Sequence, residues 1–385
     1  MTAIQVFILD GITQIGEITA FERIEAVETD LTRGNWSALL NHHHLAGNSL
    51  ADKIRTATWL GIEIIDNDTD WRYAGPCTYR ARTYTRTGEP SRIELRGVDT
   101  MDYLDALLEW PDSGNALRWW VSSPGTLPLS TTVTNALQFQ GGPLGIQERK
   151  IPNLTIIDPP APFGGTITKV TTGLPLLELW RPWYQDTDWT FRIALHRDSN
   201  GSELRFTTGE RAVAPMSVTP GLQGDVTIIE RAATATTIIA MGQLTGDLIE
   251  PDERYAARIS SAENHWLERR RERFINSPSS DTDALATEVH AELAANGPKR
   301  TVIVPDFEIP GYGDTTKLGD YVRVHYDDDE DELLVPIGSS TLIGTPDGWR
   351  RTVSVGREVT VGPRQIRSNY HDIARRLRRL EGQIR

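Results

Sequence analysis

The chain has 385 residues, with 40 Lys and Arg against 53 Asp and Glu, and its formal net charge is −13. A free-standing nucleic-acid binder is not expected at this charge, because DNA binding requires basic side chains that neutralise phosphates. No segment approaches the roughly 18 apolar residues of a membrane span, so we expect no membrane insertion. The single cysteine, Cys77, excludes an internal disulfide and a cysteine-based zinc site.

The length corresponds to about two to three domains. The first ten residues lack the basic region and the cleavage site of an export signal. We therefore expect that the chain is synthesised and folded in a cytoplasm.

Residues 1–112 alternate apolar and polar positions in short runs, as half-buried antiparallel strands do. Thr58–Ile65 and Trp71–Tyr84 flank a run of short polar side chains at Asp66–Asp70, which predicts a hairpin. The apolar residues between Met101 and Leu108 then recur at helical spacing. These patterns predict a barrel-like β domain that is closed by a helix.

Residues 113–216 mix helical and strand patterns. Candidate helices lie at Ser130–Leu137 and Leu174–Tyr184, and Pro182 is expected to end or bend the second. Two strand patterns between residues 191 and 207 are joined by a turn sequence and predict another hairpin. We predict an α+β middle domain.

A second strand-rich part occupies residues 217–262 and resumes at residues 297–362. It predicts one further barrel-like domain, split in sequence. The intervening residues 263–296 carry two stretches of helical period, Glu263–Phe274 and Asp283–Ala295, and predict a helical insertion. The whole is thus an α+β fold that is mainly β: two barrel-like antiparallel β domains, an α+β middle domain, a helical insertion and a C-terminal coiled-coil helix.

The coiled-coil helix is predicted at residues 363–385, where apolar residues recur in steps of four and three. Most other positions are polar, and so narrow an apolar seam favours partner helices over packing on the chain's own domain. The predicted oligomer interface comprises the a and d positions with flanking charges at g and e: Ile366, Tyr370, Ile373, Arg376, Leu377, Leu380, Glu381 and Ile384.

The run Arg376–Glu381 resembles a signature of short trimeric coiled coils, in which the arginine covers the core and reaches a glutamate of the neighbouring chain. Leucine at both a and d is compatible with dimers as well as trimers. A coiled coil of about three heptads is too short to hold chains together alone, so the globular part must supply most of the association.

Three runs of potential metal ligands are interpreted as loops. Adjacent side chains of His42–His44 point in different directions, and no second group of ligands accompanies them. Asp327–Glu332 lies between two strand patterns and is a charged hairpin loop more simply than a calcium site. Asp66–Asp70 begins like a calcium loop, but Trp71 and Cys77 replace the required glycine and glutamate. We predict no metal site and no cofactor.

No motif for phosphate or dinucleotide binding, zinc proteolysis or serine hydrolysis is present, and no catalytic residue is predicted. A carboxylate pair for glycoside hydrolysis stays open, because its members can lie far apart in sequence. Arg269, Arg270, Arg271, Arg273 and the arginines of the tail could contact phosphate, but at this net charge they are expected to pair with acidic neighbours or other subunits. Several tryptophans are compatible with a sugar platform, although buried or interface positions are the more common use of such residues: Trp119, Trp120, Trp180, Trp183 and Trp189.

The sequence Lys317–Val324 (KLGDYVRV) resembles the L-G-D-x-V-x-V strand entry of tail-tip hub proteins of long-tailed bacteriophages. Asp225–Gly246 looks like the strand pair that opens the second barrel of such hubs, and Gly97–Leu108 is similar to the closure of their first barrel. The order of elements resembles this family over most of residues 1–362. Within this family, the chain resembles the hub-like minor tail proteins of siphophages that infect actinobacteria.

The resemblance implies a structural, non-enzymatic virion protein at the distal end of the tail. It implies a homotrimer whose six similar domains match the sixfold tail tube, while its threefold end receives a central fibre or spike. The implied partners are further copies of the chain, the distal tail protein, the tail tube, the central fibre or spike protein and the tape measure protein. Phage DNA would pass through the lumen without specific binding, which suits an acidic chain.

Two other functions fit the sequence. A tail-associated hydrolase of peptidoglycan or glycans would use dispersed carboxylates and would clear a zymogram of purified cell walls. A carbohydrate-binding baseplate module would change its tryptophan fluorescence when host glycans are added. Some hubs continue into a wall-cleaving domain where this chain carries its heptads, so wall hydrolysis is expected in another protein of the particle.

Overall fold

The computed structural model is mainly β, with a large antiparallel sheet and few helices, which confirms that part of the predicted fold class. The chain divides into two units, residues 1–226 with 304–356, and residues 227–303 with 357–385. The barrel-like form of the β domains, the domain boundaries and the coiled coil stay predictions. The residues that the structure describes are 4–42, 45, 49–69, 71–84, 86, 90–108, 127–145, 147–164, 174–185, 187–199, 201–219, 226–231, 234–241, 254–258, 271–276, 285–286, 289–290, 292–293, 296, 299–309, 311–325 and 332–356.

The N-terminal part of the first unit is an antiparallel array in the order β3-β4-β7-β6-β5-β1-β2. The predicted hairpin around Asp66–Asp70 is confirmed, because β5 and β6 pair on either side of it. The helix predicted between Met101 and Leu108 ends at Ala106, earlier than expected, because the backbone of Leu107 is extended. The elements are β1 (Ile4–Asp10), β2 (Thr13–Glu17), β3 (Arg23–Thr29), β4 (Asn35–Asn41), α1 (Leu50–Thr56), β5 (Leu60–Asp66), β6 (Trp71–Tyr84), β7 (Pro90–Val98) and α2 (Asp102–Ala106).

The middle part contains two helices and a three-stranded sheet in the order β8-β10-β9, which includes the predicted second hairpin. The second helix continues past Pro182, so the proline does not end it. Burial of Trp180 and Tyr184 on either side outweighs the hydrogen bond that an interior proline removes. The elements are α3 (Leu129–Gln140), β8 (Leu154–Ile156), α4 (Leu176–Gln185), β9 (Trp189–Asp198) and β10 (Gly201–Glu210).

Trp180 is the largest side chain of the middle core. Its ring lies edge-on to Phe191 and Phe206, with both pairs of ring centroids 5.9 Å apart. The same core includes Leu9 and Met101 of the N-terminal part. The middle sheet and helices therefore pack on the N-terminal strands through one apolar cluster.

The later strands of the first unit return to the N-terminal array. β18 pairs with β19 on one side and with β3 on the other, where Ser339–Gly344 lies opposite Ile24–Thr29. The pairing of β18 with β3 is a long-range contact that no local pattern indicated. The elements are β11 (Val213–Val218), β17 (Tyr321–His325), β18 (Glu332–Thr345) and β19 (Gly348–Val355). β16 (Lys299–Phe307) also contributes its residues from Val304 onward, while its earlier residues belong to the second unit.

The second unit contains a three-stranded sheet in the order β14-β13-β15, and β12, which pairs with residues 299–303 of β16. Leu285, Val289 and Leu293 are helical and buried against β13, so the described residues of the predicted helix Asp283–Ala295 confirm it. The strands are β12 (Thr227–Arg231), β13 (Thr237–Met241), β14 (Arg254–Arg258) and β15 (Glu272–Asn276).

The predicted helix Glu263–Phe274 is wrong at its end, because residues 272–274 belong to β15. Parallel pairing with β13 places the partly buried Ile275 against the core of this unit, and this contact outweighs the helical preference of the charged run. Residues 263–270 lie outside the described residues. No helix in the described ranges is long and apolar enough to cross a membrane.

We predict that Trp180→Ala lowers the free energy of unfolding by about 3–5 kcal/mol, because it leaves a cavity between two phenylalanine rings. Trp59→Ala is the matched control, since Trp59 is 72% exposed, and we expect a change within about 0.5 kcal/mol. Urea unfolding followed by far-UV circular dichroism measures both. Equal losses in the two variants would contradict this description of the core.

Candidate functional site

The turn Lys317–Asp320, which carries the sequence resemblance, leads into β17. The Asp320 carboxylate accepts hydrogen bonds from the backbone N–H groups of Lys317 (2.7 Å) and Ala212 (3.1 Å). Gly319 has φ of 87°, and a Cβ at this position would lie 2.7 Å from Nη1 of Arg211. The turn therefore requires glycine both for its backbone conformation and for the arginine packed on it.

Arg211 forms a buried ion pair with Asp30 beside this turn. Nη1 lies 2.9 Å from Oδ2 of Asp30, and the two side chains are 0% and 2% exposed. The same Nη1 donates to the Gly319 carbonyl (2.6 Å), and Nε donates to the Trp189 carbonyl (3.0 Å). The Thr190 hydroxyl donates to Oδ1 of Asp30 (3.2 Å). One guanidinium thus connects the end of β3, the start of β9 and the turn before β17.

In addition to Arg211, two arginines of β9 contact buried carboxylates of the N-terminal strands. Arg197 Nη2 lies 2.9 Å from Oε2 of Glu63, and Arg192 is paired with Glu28. Glu28 also accepts hydrogen bonds from Trp71 Nε1 (2.7 Å) and the Tyr312 hydroxyl (3.2 Å). We call the region where β9 and the turn before β17 meet the N-terminal strands the junction. Because arginine keeps its proton in proteins, these pairs fix the geometry of the junction and do not transfer protons.

Asp99 is a buried carboxyl in the same region. Burial raises its pKa to about 7. The backbone hydrogen bonds from Gly34 and Met101 favour the charged form and offset only part of this increase. Burial also raises the pKa of the neighbouring Tyr73 hydroxyl, and the charges of Asp99 and Glu28 add to this shift. Asp99 is therefore partly protonated near neutral pH.

The residues of the predicted oligomer interface all lie outside the described residues: Ile366, Tyr370, Ile373, Arg376, Leu377, Leu380, Glu381 and Ile384. The same holds for His43, His44 and residues 327–331. At Asp66–Asp70, Oδ1 of Asp66 accepts the backbone N–H of Asp68 (3.2 Å), as in a turn. Within the described part of the chain, no three metal-ligating side chains come together.

The tryptophans considered as a sugar platform are core residues where the structure describes them. Trp180 is buried, Trp183 packs on the same core, and Trp189 stacks on Phe163 with ring centroids 3.9 Å apart. Trp119 and Trp120 lie outside the described residues. Among the tryptophans that the structure describes, the exposed one is Trp59, which sequence reasoning missed because it stands alone between a helix and a strand.

The predicted pairing of the insertion arginines with acidic neighbours is confirmed for Arg273. Its Nη2 lies 3.0 Å from Oε1 of Glu292. The Cys77 thiol donates to the Tyr79 carbonyl (3.1 Å), and burial raises its pKa. A raised pKa keeps the thiol protonated, which makes it a poor nucleophile.

The fold of this chain is similar to that of phage tail proteins, the broader class to which the predicted resemblance points. The 43 kDa tail protein of prophage MuSo2 from Shewanella oneidensis is 14% identical over 92% of this chain and 98% of its own, with a TM-score of 0.53. A tail protein from Neisseria meningitidis MC58 is 11% identical over 92% and 97%, with a TM-score of 0.54.

The prophage tail protein gp18 from Listeria monocytogenes EGD-e is 12% identical over 96% of this chain and 99% of its own, with a TM-score of 0.53. At such identities the likeness concerns the fold. No protein-family model and no curated protein matches the chain.

We predict that Arg211→Met destabilises the protein by about 3–5 kcal/mol, because the charge of Asp30 is then buried without its partner. Arg23→Met is the control, since Arg23 pairs with Glu25 at a side-chain exposure of 56% and such pairs contribute about 0–1 kcal/mol. Urea unfolding measures both variants. A loss for Arg211→Met no larger than that for Arg23→Met would contradict the structural role of the pair.

We predict that Asp99 makes stability fall with rising pH. Its pKa in the folded protein lies above that of the unfolded chain, so its favourable contribution is complete below about pH 4 and is lost as pH rises through about 7. Asp99→Asn should reduce the difference in unfolding free energy between about pH 5 and about pH 8 by roughly 2 kcal/mol. Urea unfolding at both pH values measures the difference, and an unchanged difference in the variant would contradict the raised pKa.

Proposed function

We propose that this chain is a structural, non-enzymatic protein of a phage tail. The observation that carries the proposal is the shared fold, which extends over at least 92% of this chain and 97% of each of three tail proteins. A match over nearly the full length of both chains supports a comparable overall task better than a match to one domain would.

Within the tail, we propose the role of a distal hub of a phage that infects actinobacteria. A homotrimeric ring would adapt the sixfold tail tube to a threefold central fibre or spike, next to the distal tail protein and the tape measure protein. The hub role is supported by the sequence motif Lys317–Val324. Gly319 and Asp320 of this phrase hold the junction around Arg211, so the resemblance falls on residues that the fold requires.

The proposed trimer has two sources of association. The heptad seam of residues 363–385 sets the register of the chains, and surfaces of the globular part supply most of the interaction free energy. The net charge of −13 suits a lumen that lets DNA pass without binding sites for its phosphates.

The test is the oligomeric state of the full chain. We expect a trimer by native mass spectrometry at micromolar concentration and weaker assembly of Leu377→Asp/Leu380→Asp, because carboxylates at a and d positions would be buried without partners. Ser368→Asp is the control, since it adds a like charge at the outward f position of the same heptad pattern.

Two results would contradict the proposal. A wild-type chain that stays monomeric at micromolar concentration argues against a trimeric hub. A double variant that assembles as well as Ser368→Asp argues that the heptad seam is not an interface.

A further inference from the structure

Two aromatic rings line a cleft of about 470 Å³ where the segment between β2 and β3 meets the end of β4 and the turn between β18 and β19. The rings of Phe21 and Trp349 have centroids 5.1 Å apart and an interplanar angle of 55°, so they form an aromatic corner. A Cβ at Gly344 would overlap the Trp349 ring, which shows that the indole packs against the backbone of β18. Ala20 and Pro346 add apolar surface to the lining.

The polar side chains of this aromatic cleft are mostly engaged within the chain. Oε1 of Glu22 accepts a hydrogen bond from Arg92 Nε (3.0 Å), and the Thr345 hydroxyl donates to the Gly348 carbonyl (3.4 Å). Asn41 also interacts with another group of the chain. The cleft therefore suits an apolar guest better than one that needs many hydrogen bonds.

The loop of residues 158–162 (DPPAP), which we call the proline loop, leaves apolar groups in water on the middle part of the first unit. Ile157, directly before the loop, is 41% exposed, and Pro160, Ala161 and Pro162 are exposed as well. Each proline fixes its own φ and restricts the residue before it. The proline loop is thus a stiff apolar projection.

Both ends of the proline loop are anchored. The Ile157 N–H donates to the Phe206 carbonyl (2.9 Å). At the other end, the Phe163 N–H donates to the Ser130 hydroxyl oxygen (2.9 Å), and the Phe163 ring stacks on Trp189 with centroids 3.9 Å apart. The loop therefore has a defined shape before it meets a partner, which lowers the entropic cost of binding.

We propose that the proline loop of one copy docks into the aromatic cleft of the next copy. Within one chain, the loop is anchored to β10 and α3, whereas other elements build the cleft. The occupant is a second copy because the chain carries both complementary parts, and aromatic-lined grooves are the surfaces that receive proline-rich segments.

A contact between two different surfaces is heterologous, and repetition of such a contact by a threefold rotation closes a ring. This inference rests on the proposed trimer. It names one of the globular surfaces that hold the trimer together.

Cross-linking of the full chain tests the contact. In a Cys77→Ser background, a Thr19→Cys chain, changed at the cleft, is co-expressed with an Ala161→Cys chain, changed in the loop. Oxidation should join the two chains by a disulfide, which requires Cβ atoms about 3.5–4.5 Å apart. Non-reducing gel electrophoresis detects the product, and peptide mass spectrometry identifies the linked positions. The control combines Thr19→Cys with Glu178→Cys, since Glu178 is exposed on α4, and we expect no such link.

The strength of association gives a second, independent measure. Ala161→Asp puts a carboxylate into the apolar cleft, and Thr19→Arg obstructs the cleft with a long side chain. Each should weaken assembly at least about tenfold in analytical ultracentrifugation, with an unchanged far-UV circular dichroism spectrum. Gln147→Asp adds the same charge at another exposed position, and we expect it to assemble as the wild type does.

A trimer without the cross-link, or one in which Ala161→Asp assembles as well as Gln147→Asp, would overturn this contact and leave the trimeric hub in place. Weaker assembly in only one of Ala161→Asp and Thr19→Arg would overturn it too, because loop and cleft would then not be partners. A cross-linked dimer would support the contact while contradicting the trimer, so the two proposals fail separately. A chain that stays monomeric at micromolar concentration would contradict both.

Discussion

The buried contact between Arg211 and Asp30 is the constraint on which the first unit depends. Two charges without access to water are tolerated only when they are paired and hydrogen-bonded. Here two backbone carbonyls accept from Nε and Nη1 of Arg211 and a threonine hydroxyl donates to Asp30, while Nη2 of Arg211 is buried without a hydrogen-bond partner. The partners are 181 residues apart in sequence. The N-terminal strands, the middle sheet and the turn before β17 must therefore all be in place before the pair is stable.

The pairs of Glu28 with Arg192 and of Glu63 with Arg197 repeat this arrangement along β9. Apolar packing alone tolerates small sliding movements, because it has no preferred direction. Charge pairs with defined hydrogen bonds specify one register between the middle sheet and the N-terminal strands. Such a defined junction suits a component that must present the same surfaces in every copy of an assembly.

Local elements could be predicted from the sequence because their signals lie within a few residues. The hairpin of β5 and β6 follows from strand alternation around a cluster of turn residues, and α3 follows from its apolar period. The pairing of β18 with β3 has no such signal, since register between distant strands depends on the whole sheet. In β15, parallel pairing with β13 outweighed a helical pattern of charged residues.

The junction was only partly visible in the sequence. Gly319 and Asp320 were noticed through a family resemblance, whereas Asp30 and Arg211 look like ordinary surface charges until the fold brings them together. Trp59 carried no periodic or motif signal at all. Its exposure is a property of the folded chain.

β6 changes partners halfway along its length, pairing with β5 through Trp71–Pro76 and with β7 through Cys77–Tyr84. One uninterrupted backbone is therefore shared by two neighbouring parts of the sheet. Pro76 lies opposite Gly61, two residues from Trp59. A mechanical load on the loop of Trp59 would cross from β5 to β6 through their interstrand hydrogen bonds and pass the changeover along the covalent backbone of β6. It would then reach β7 and β4 through the hydrogen bonds of the next two pairings.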